Sequence, residues 1–130
     1  MNLFDIHSEQ ELANITIALK ALSDQNRFRI FAVLMTGDSC NCELNDTLGI
    51  QPNLLSHHLR VLSDAGLVTS RRDRLDARWI YYAVDREAVK KLKTWLGEFL
   101  DPMRIQARAV CGPEGQVLSA STDIELTSVD

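Results

Sequence analysis

The stretch Gln51-Pro52-Asn53-Leu54-Leu55-Ser56-His57-His58-Leu59-Arg60-Val61-Leu62 decides the fold. Proline suits the first position of a helix, where its missing N–H would have had no partner. Gln51 is therefore the expected N-cap of a helix, and Gly66 its expected stop. On a wheel of roughly 100° per residue, Leu55, His58, Leu59 and Leu62 fall on one side. Asn53, Ser56, His57 and Arg60 fall on the other. The first face is apolar and suits packing on a domain. The second offers short polar groups and a guanidinium, which suit base edges and phosphates. Just upstream, a short helix over Cys42–Leu48 is expected to end at Gly49. Two helices joined by a tight, glycine-bearing turn are the helix-turn-helix signature, and the second enters the major groove.

Downstream, Leu67–Arg72 and Arg78–Val84 read as strands joined by residues 73–77. This hairpin carries Arg71, Arg72, Arg74 and Arg78 near its tip, as a phosphate-contacting wing would. Trp79, Tyr81 and Tyr82 suit a strand; both of its faces carry apolar groups, so the inward side is open. Upstream, Ser8-Glu9-Gln10-Glu11 fits a capping box. Leu12, Ile15, Leu19 and Leu22 follow at helical spacing, giving a helix over 9–22. Asp24 is the expected cap of a helix reaching Thr36, with Gly37 as its stop. Asp85 is the expected cap of a last helix to Leu100, striped by Val89, Leu92, Leu96, Phe99 and Leu100, before a break at Asp101-Pro102. The expected order is αααα-ββ-α. The fold class is thus mainly α with a β-hairpin wing (α+β): a winged helix-turn-helix over 1–110, followed by a mobile tail over 111–130.

The bulk properties fit. A chain of 130 residues suits one domain. Its hydrophobic content of 45% and charged content of 25% exclude a fibre, a disulfide scaffold and a wholly disordered chain. The net charge of −4 opposes DNA binding only if it is spread evenly. It is not: Gln51–Lys93 holds nine Lys/Arg against five Asp/Glu, and the rest holds five against thirteen. A basic footprint with acidic flanks is what local phosphate contact requires. The longest apolar run, Ile30–Met35, is far too short to span a bilayer, and no targeting segment is visible. A soluble cytoplasmic protein without a membrane partner is expected. Its three cysteines, an odd number, then read as free thiols. An enzyme is not expected. The positions where a Cys-x5-Arg anion loop would place its arginine hold Asp46, Leu48 and Val117. There is also no glycine-rich phosphate loop and no nucleophile–base–acid set, so no organic cofactor is expected.

The ordered motifs carry a resemblance. Ala21-Leu22-Ser23-Asp24 with Arg27, the stretch from Gln51 to Leu62, Ala65-Gly66-Leu67-Val68 and Arg78-Trp79-Ile80-Tyr81-Tyr82 together resemble the ArsR/SmtB family of metal-responsive repressors. The likeness covers residues 9–100. It implies a homodimer joined by the first and last helices, with Leu12, Ile15, Leu19, Leu92, Leu96 and Phe99 at the interface. It also implies double-stranded operator DNA as partner, contacted by Gln51, Asn53, Ser56, His57, Arg60, Arg71, Arg72, Arg74 and Arg78. Inducer binding would release that DNA.

Cys40-Asn41-Cys42-Glu43-Leu44 resembles the Cys-x-Cys element of the family's arsenite and cadmium/lead sensors, although the family form has an apolar residue where Asn41 stands. Without the resemblance, Cys40 and Cys42 read as two small buried residues. With it, soft thiolates imply a thiophilic inducer, As(III) or Sb(III), with Cd/Pb as the alternative. Such metalloids take three sulfurs, and Cys111 is the remaining candidate. A persulfide or oxidant sensor using Cys42 and Cys111 is a further alternative. The family's other zinc site is not expected, since the last helix has no histidine. Adjacent His57 and His58 point apart on a helix, and His58 is expected in the core. Residues i and i+2 of a helix do not face one ion. Chelation by Cys40 and Cys42 is therefore expected to require a non-helical or unwound start to the third helix. The helix N-terminus is expected to favour the thiolates.

Overall fold

The computed structural model describes residues 9–107 and 111–113, so the Ser8 cap and the tail beyond residue 113 lie outside the described residues. The chain divides into a unit through Leu96 and a second from Gly97 onward.

Helix α1 (Glu9–Leu22) turns Ile15, Ala18 and Ala21 inward. Asp24 then stops the chain in an extended conformation, and its carboxylate accepts the N–H groups of Asn26 and Arg27 at 2.8 and 3.1 Å. That capping starts α2 (Gln25–Leu34). This helix ends short of the expected Thr36, whose hydroxyl instead donates to the Val33 carbonyl at 2.6 Å. Helix α3 (Asn41–Leu48) ends on Gly49 at φ +64°, a left-handed conformation that a Cβ would strain. Helix α4 (Pro52–Asp64) follows directly, with Pro52 in its first turn and Gln51 as N-cap. Its buried residues are the four of the apolar face: Leu55, His58, Leu59 and Leu62. The three leucines meet Ala18 and Ala21 of α1, Ile30 and Leu34 of α2, Leu44 of α3, and Leu67 and Val68 in one core.

The sheet differs from the expected hairpin. Strands β2 (Val68–Arg72) and β3 (Ile80–Val84) pair antiparallel from Val68↔Val84 to Arg72↔Ile80. A third strand, β1 (Ser39–Cys40), pairs with the other edge of β3, through Ser39↔Tyr82 and Cys40↔Tyr81. The order is therefore αα-β-αα-ββ-α. Two residues carry no alternation, so nothing in the sequence marks β1.

Both hairpin strands also begin later than expected, at Val68 and at Ile80. For β3 the cause is Asp73. One carboxylate oxygen accepts the N–H groups of Leu75 and Asp76 at 2.8 and 3.1 Å. The backbone then closes through Asp73 N to Trp79 O at 2.8 Å and Trp79 N to Asp76 O at 3.1 Å. Arg78 and Trp79 thus belong to a folded loop. Tyr82 packs on the core and Tyr81 takes the opposite face, which settles the orientation of β3.

Asp85 accepts the Ala88 N–H at 3.1 Å and opens α5 (Arg86–Phe99), whose Ala88 and Leu92 pack on the core. Within the second unit, Asp101 accepts the Met103 N–H at 2.9 Å and starts a single 3-10 turn, Pro102–Arg104.

Candidate nucleic-acid interface and thiol pair

Because α4 buries one face, it presents the other. Gln51, Asn53, Ser56, His57 and Arg60 are all exposed along it. The inward His58 is only 5% exposed. Its Nδ1 lies 3.2 Å from Nη1 of Arg27, whose Nε donates to the Ala21 carbonyl at 2.7 Å. A guanidinium can only donate, so Nδ1 accepts and the ring proton sits on Nε2. That Nε2 is buried and has no partner among the described residues. The core placement was legible; the Arg27 clamp joining the end of α1 to α4 was not.

Burial lowers the His58 pKa below the ordinary histidine value; nearby Arg27 and His57 add to this, and Asp24 opposes it. The ring is therefore neutral in the fold. Its contribution to stability is complete above the unfolded value of about 6.5 and is lost as pH falls from there toward the folded pKa. The thermal midpoint is expected to drop as pH falls below about 6.5, and to drop less in His58→Gln. Asp24 and Asp73 titrate below the ordinary carboxylate range because they accept backbone N–H bonds. They act only in stronger acid. A wild-type midpoint that stays flat across this window would refute the assignment.

The wing arginines are exposed but not equivalent. Arg71 lies over the Tyr81 ring, 4.6 Å from its centroid. Arg72 donates to the Ala77 carbonyl at 2.7 Å. Arg78, although 87% exposed, is held by Asp76 at 2.7 Å, which lowers the Asp76 pKa and raises that of Arg78. Its charge is thus offset within the loop. Arg74 has no partner among the described residues and is the most available cation of the tip. The sequence count treated four cations as alike, while the Asp76-Ala77-Arg78 spacing already allowed a local pair.

Cys40 is the N-cap of α3, extended at φ −84° and ψ 163°, and Cys42 stands in the first turn. Cys40 is buried and Cys42 exposed, two residues apart at the head of α3. Cys40 is thus non-helical, the first of the two starts to the third helix that chelation was expected to require. Cys40 lies outside α3, so the i and i+2 geometry of a regular helix does not apply to the two thiols. Glu43 Oε1 accepts the Cys40 N–H at 3.0 Å, the strong half of a capping box that sequence reading missed.

The expected thiolate preference is corrected for Cys42. Desolvation first, and then the neighbouring Cys40, push its thiol above the ordinary range. Cys111 is exposed and belongs to the second unit. Among the described residues no group of three or more His, Cys, Asp or Glu side chains is placed to hold a metal ion. By donor chemistry alone, two thiols suit a soft ion.

Of the expected dimer residues, Leu12, Leu19 and Phe99 expose apolar surface and Leu96 is half-buried. Ile15 is buried and Leu92 packs on the core, so both spend apolar surface inside the chain. No described helix is long and apolar enough to cross a membrane.

Residues 24–70, which contain α2, α3 and α4, match the family described as bacterial regulatory protein, arsR family. The chain is 33% identical over 86 residues to a cadmium resistance transcriptional regulatory protein, a CadC homolog of Staphylococcus aureus, covering 65% of this chain and 69% of that one. It is 35% identical over 74 residues to the arsenical resistance operon repressor of Bacillus subtilis, covering 56% and 68% of the two chains. The solved structure of the transcriptional regulator HlyU from Vibrio vulnificus superposes with a TM-score of 0.56 at 31% identity, covering 76% of this chain and 99% of that one. This chain carries an exposed polar helix and a basic wing, shares its architecture with the Vibrio vulnificus structure and its sequence with the two resistance regulators: it belongs to the ArsR family of DNA-binding transcription regulators and is not an enzyme.

Proposed function

We propose that the protein is a homodimeric repressor of a metal(loid)-resistance operon, released from its operator when Cys40 and Cys42 bind arsenite or antimonite as thiolates. One observation carries this reading: two free cysteines two residues apart at the head of α3, the first helix of the DNA-binding unit, with Cys40 extended and outside the helix. Soft sulfur ligands select thiophilic ions. Binding displaces the thiol protons and draws both sulfurs to one centre, disturbing the turn that Glu43 caps. An inducer that favours the DNA-free state lowers DNA affinity by its preference for that state. Cys111 is the third sulfur in this reading. Cadmium is the second inducer to consider, since the same sulfurs suit it and one relative is a cadmium resistance regulator.

Gln51, Asn53, Ser56, His57 and Arg60 face the major groove, with Arg71, Arg72, Arg74 and Arg78 at the flanking phosphates. The exposed apolar groups of α1 and α5, Leu12, Leu19 and Phe99, supply the dimer contact with Leu96 and the edges of Ile15 and Leu92. The test is fluorescence anisotropy of the reduced protein on duplex DNA from upstream of its own gene. Arsenite is expected to release the duplex. Retention through arsenite and cadmium, with release by a persulfide donor, would replace the metal reading with a redox one.

Arg74→Ala is expected to weaken binding on every sequence alike. It should also reduce the slope of log K against log salt by roughly 0.9, the share of one phosphate contact. Weakening confined to a single sequence, with an unchanged slope, would assign Arg74 to a base instead.

A further inference from the structure

Tyr81 stands between Cys40 and Arg71 in the sheet. In the three-stranded sheet, Cys40 stands opposite Tyr81 and Tyr81 opposite Arg71. Directly paired residues share a face of the sheet, so these three form one cross-strand row. The row begins at the buried Cys40 and ends at the exposed Arg71. The Tyr81 ring carries the Arg71 guanidinium at 4.6 Å. Its hydroxyl donates to Asp73 Oδ2 at 2.8 Å. The other oxygen of Asp73 holds the N–H groups of Leu75 and Asp76, and so shapes the tip that carries Arg74. A small open depression lined by Asp38, Arg71 and Tyr81 borders the ring.

We propose that Tyr81 is a positioning residue for DNA release: it passes the state of Cys40 to Arg71 and to the wing tip through its ring and its hydroxyl bond to Asp73. The inference rests on the thiol-inducer reading and adds a route to it. An ion on the Cys40 sulfur adds bulk beside the ring. The ring shifts, the hydroxyl leaves Asp73, and the tip loses the bond that ties it to the sheet. The bond is either made or broken, which gives the wing two discrete arrangements rather than a graded one. A tyrosine that merely fills the strand would do none of this, and phenylalanine would replace it without consequence for release.

The test uses the full chain and Tyr81→Phe, which keeps the ring beneath Arg71 and removes the bond to Asp73. Arsenite uptake, read by sulfur-to-arsenic absorption, is expected to stay within about twofold of wild type, a small change on an affinity scale where tenfold is about 1.4 kcal/mol. The factor by which arsenite weakens binding to the upstream duplex is expected to fall about tenfold or more. In the DNA-free protein, the amide resonances of Leu75 and Asp76 are expected to shift on arsenite addition in wild type and to stand still in Tyr81→Phe. Equal shifts and equal release in both proteins would overturn the route while leaving the thiol reading intact. A wild-type protein that takes up no arsenite would overturn the arsenite reading, and the route with it.

Discussion

Leu62→Ala is expected to destabilise the fold by about 2–5 kcal/mol, the range for truncating a fully buried leucine. Leu62 is 0% exposed and sits where α4 meets the rest of the core. Its carbonyl also accepts the Leu67 N–H at 3.0 Å, so the chain turns from α4 toward β2 around this residue. The truncation leaves a void between elements that cannot easily collapse. Against a total of about 5–15 kcal/mol for a typical domain, that is a large fraction. The thermal midpoint should fall by roughly 10 °C or more at fixed protein concentration. Leu54→Ala provides the contrast on the same helix. Leu54 is 43% exposed, and its loss should change stability by about 0.5 kcal/mol or less. Similar losses at the two sites would mean that α4 does not bury the face assigned to it.

The largest functional effect is expected from Cys40→Ser/Cys42→Ser. Serine is a good N-cap, so Cys40→Ser keeps the extended turn and the bond from its N–H to Glu43. Neither residue lies on the exposed face of α4 or on the wing, so duplex affinity without inducer should stay within about threefold of wild type, or under 1 kcal/mol. The response to arsenite should vanish, because hydroxyls are hard, neutral ligands that a thiophilic ion does not select. If the double variant still releases its duplex at the wild-type arsenite concentration, the thiol pair is not the sensor. Loss of duplex binding without inducer would instead make the cysteines part of the DNA-binding frame. Cys111→Ser, measured alongside, separates a two-sulfur site from a three-sulfur one.

The sequence was most informative where one residue type has one physical use. Pro52 can only open a helix, Gly49 is at ease in a left-handed turn, and Leu55, His58, Leu59 and Leu62 recur at helical spacing. Helices α1 to α5 and the outward face of α4 follow from such signals. The pairing of Ser39 and Cys40 with β3 does not, because it is a long-range contact with no local pattern. The same pairing holds Cys40 extended and outside the helix, so of the two expected starts, non-helical or unwound, the structure has the non-helical one. Asp73 and Tyr81 were missed for a related reason: each looks ordinary alone, and their bond spans the wing. The arginine count was correct as charge but uninformative about availability, since Asp76 engages Arg78 and leaves Arg74 uncommitted.

Thermodynamic linkage supplies the most direct measurement. If the thiol pair and the DNA-binding face are coupled, duplex DNA must weaken arsenite binding by the factor by which arsenite weakens duplex binding. Arsenite affinity is measured by thiol absorption with and without a saturating excess of the upstream duplex. The expected result is weaker uptake in the complex, by a factor equal to the one obtained from anisotropy. Equal arsenite affinity in the free and DNA-bound protein would contradict coupling between Cys40 and Cys42 and the α4–wing surface.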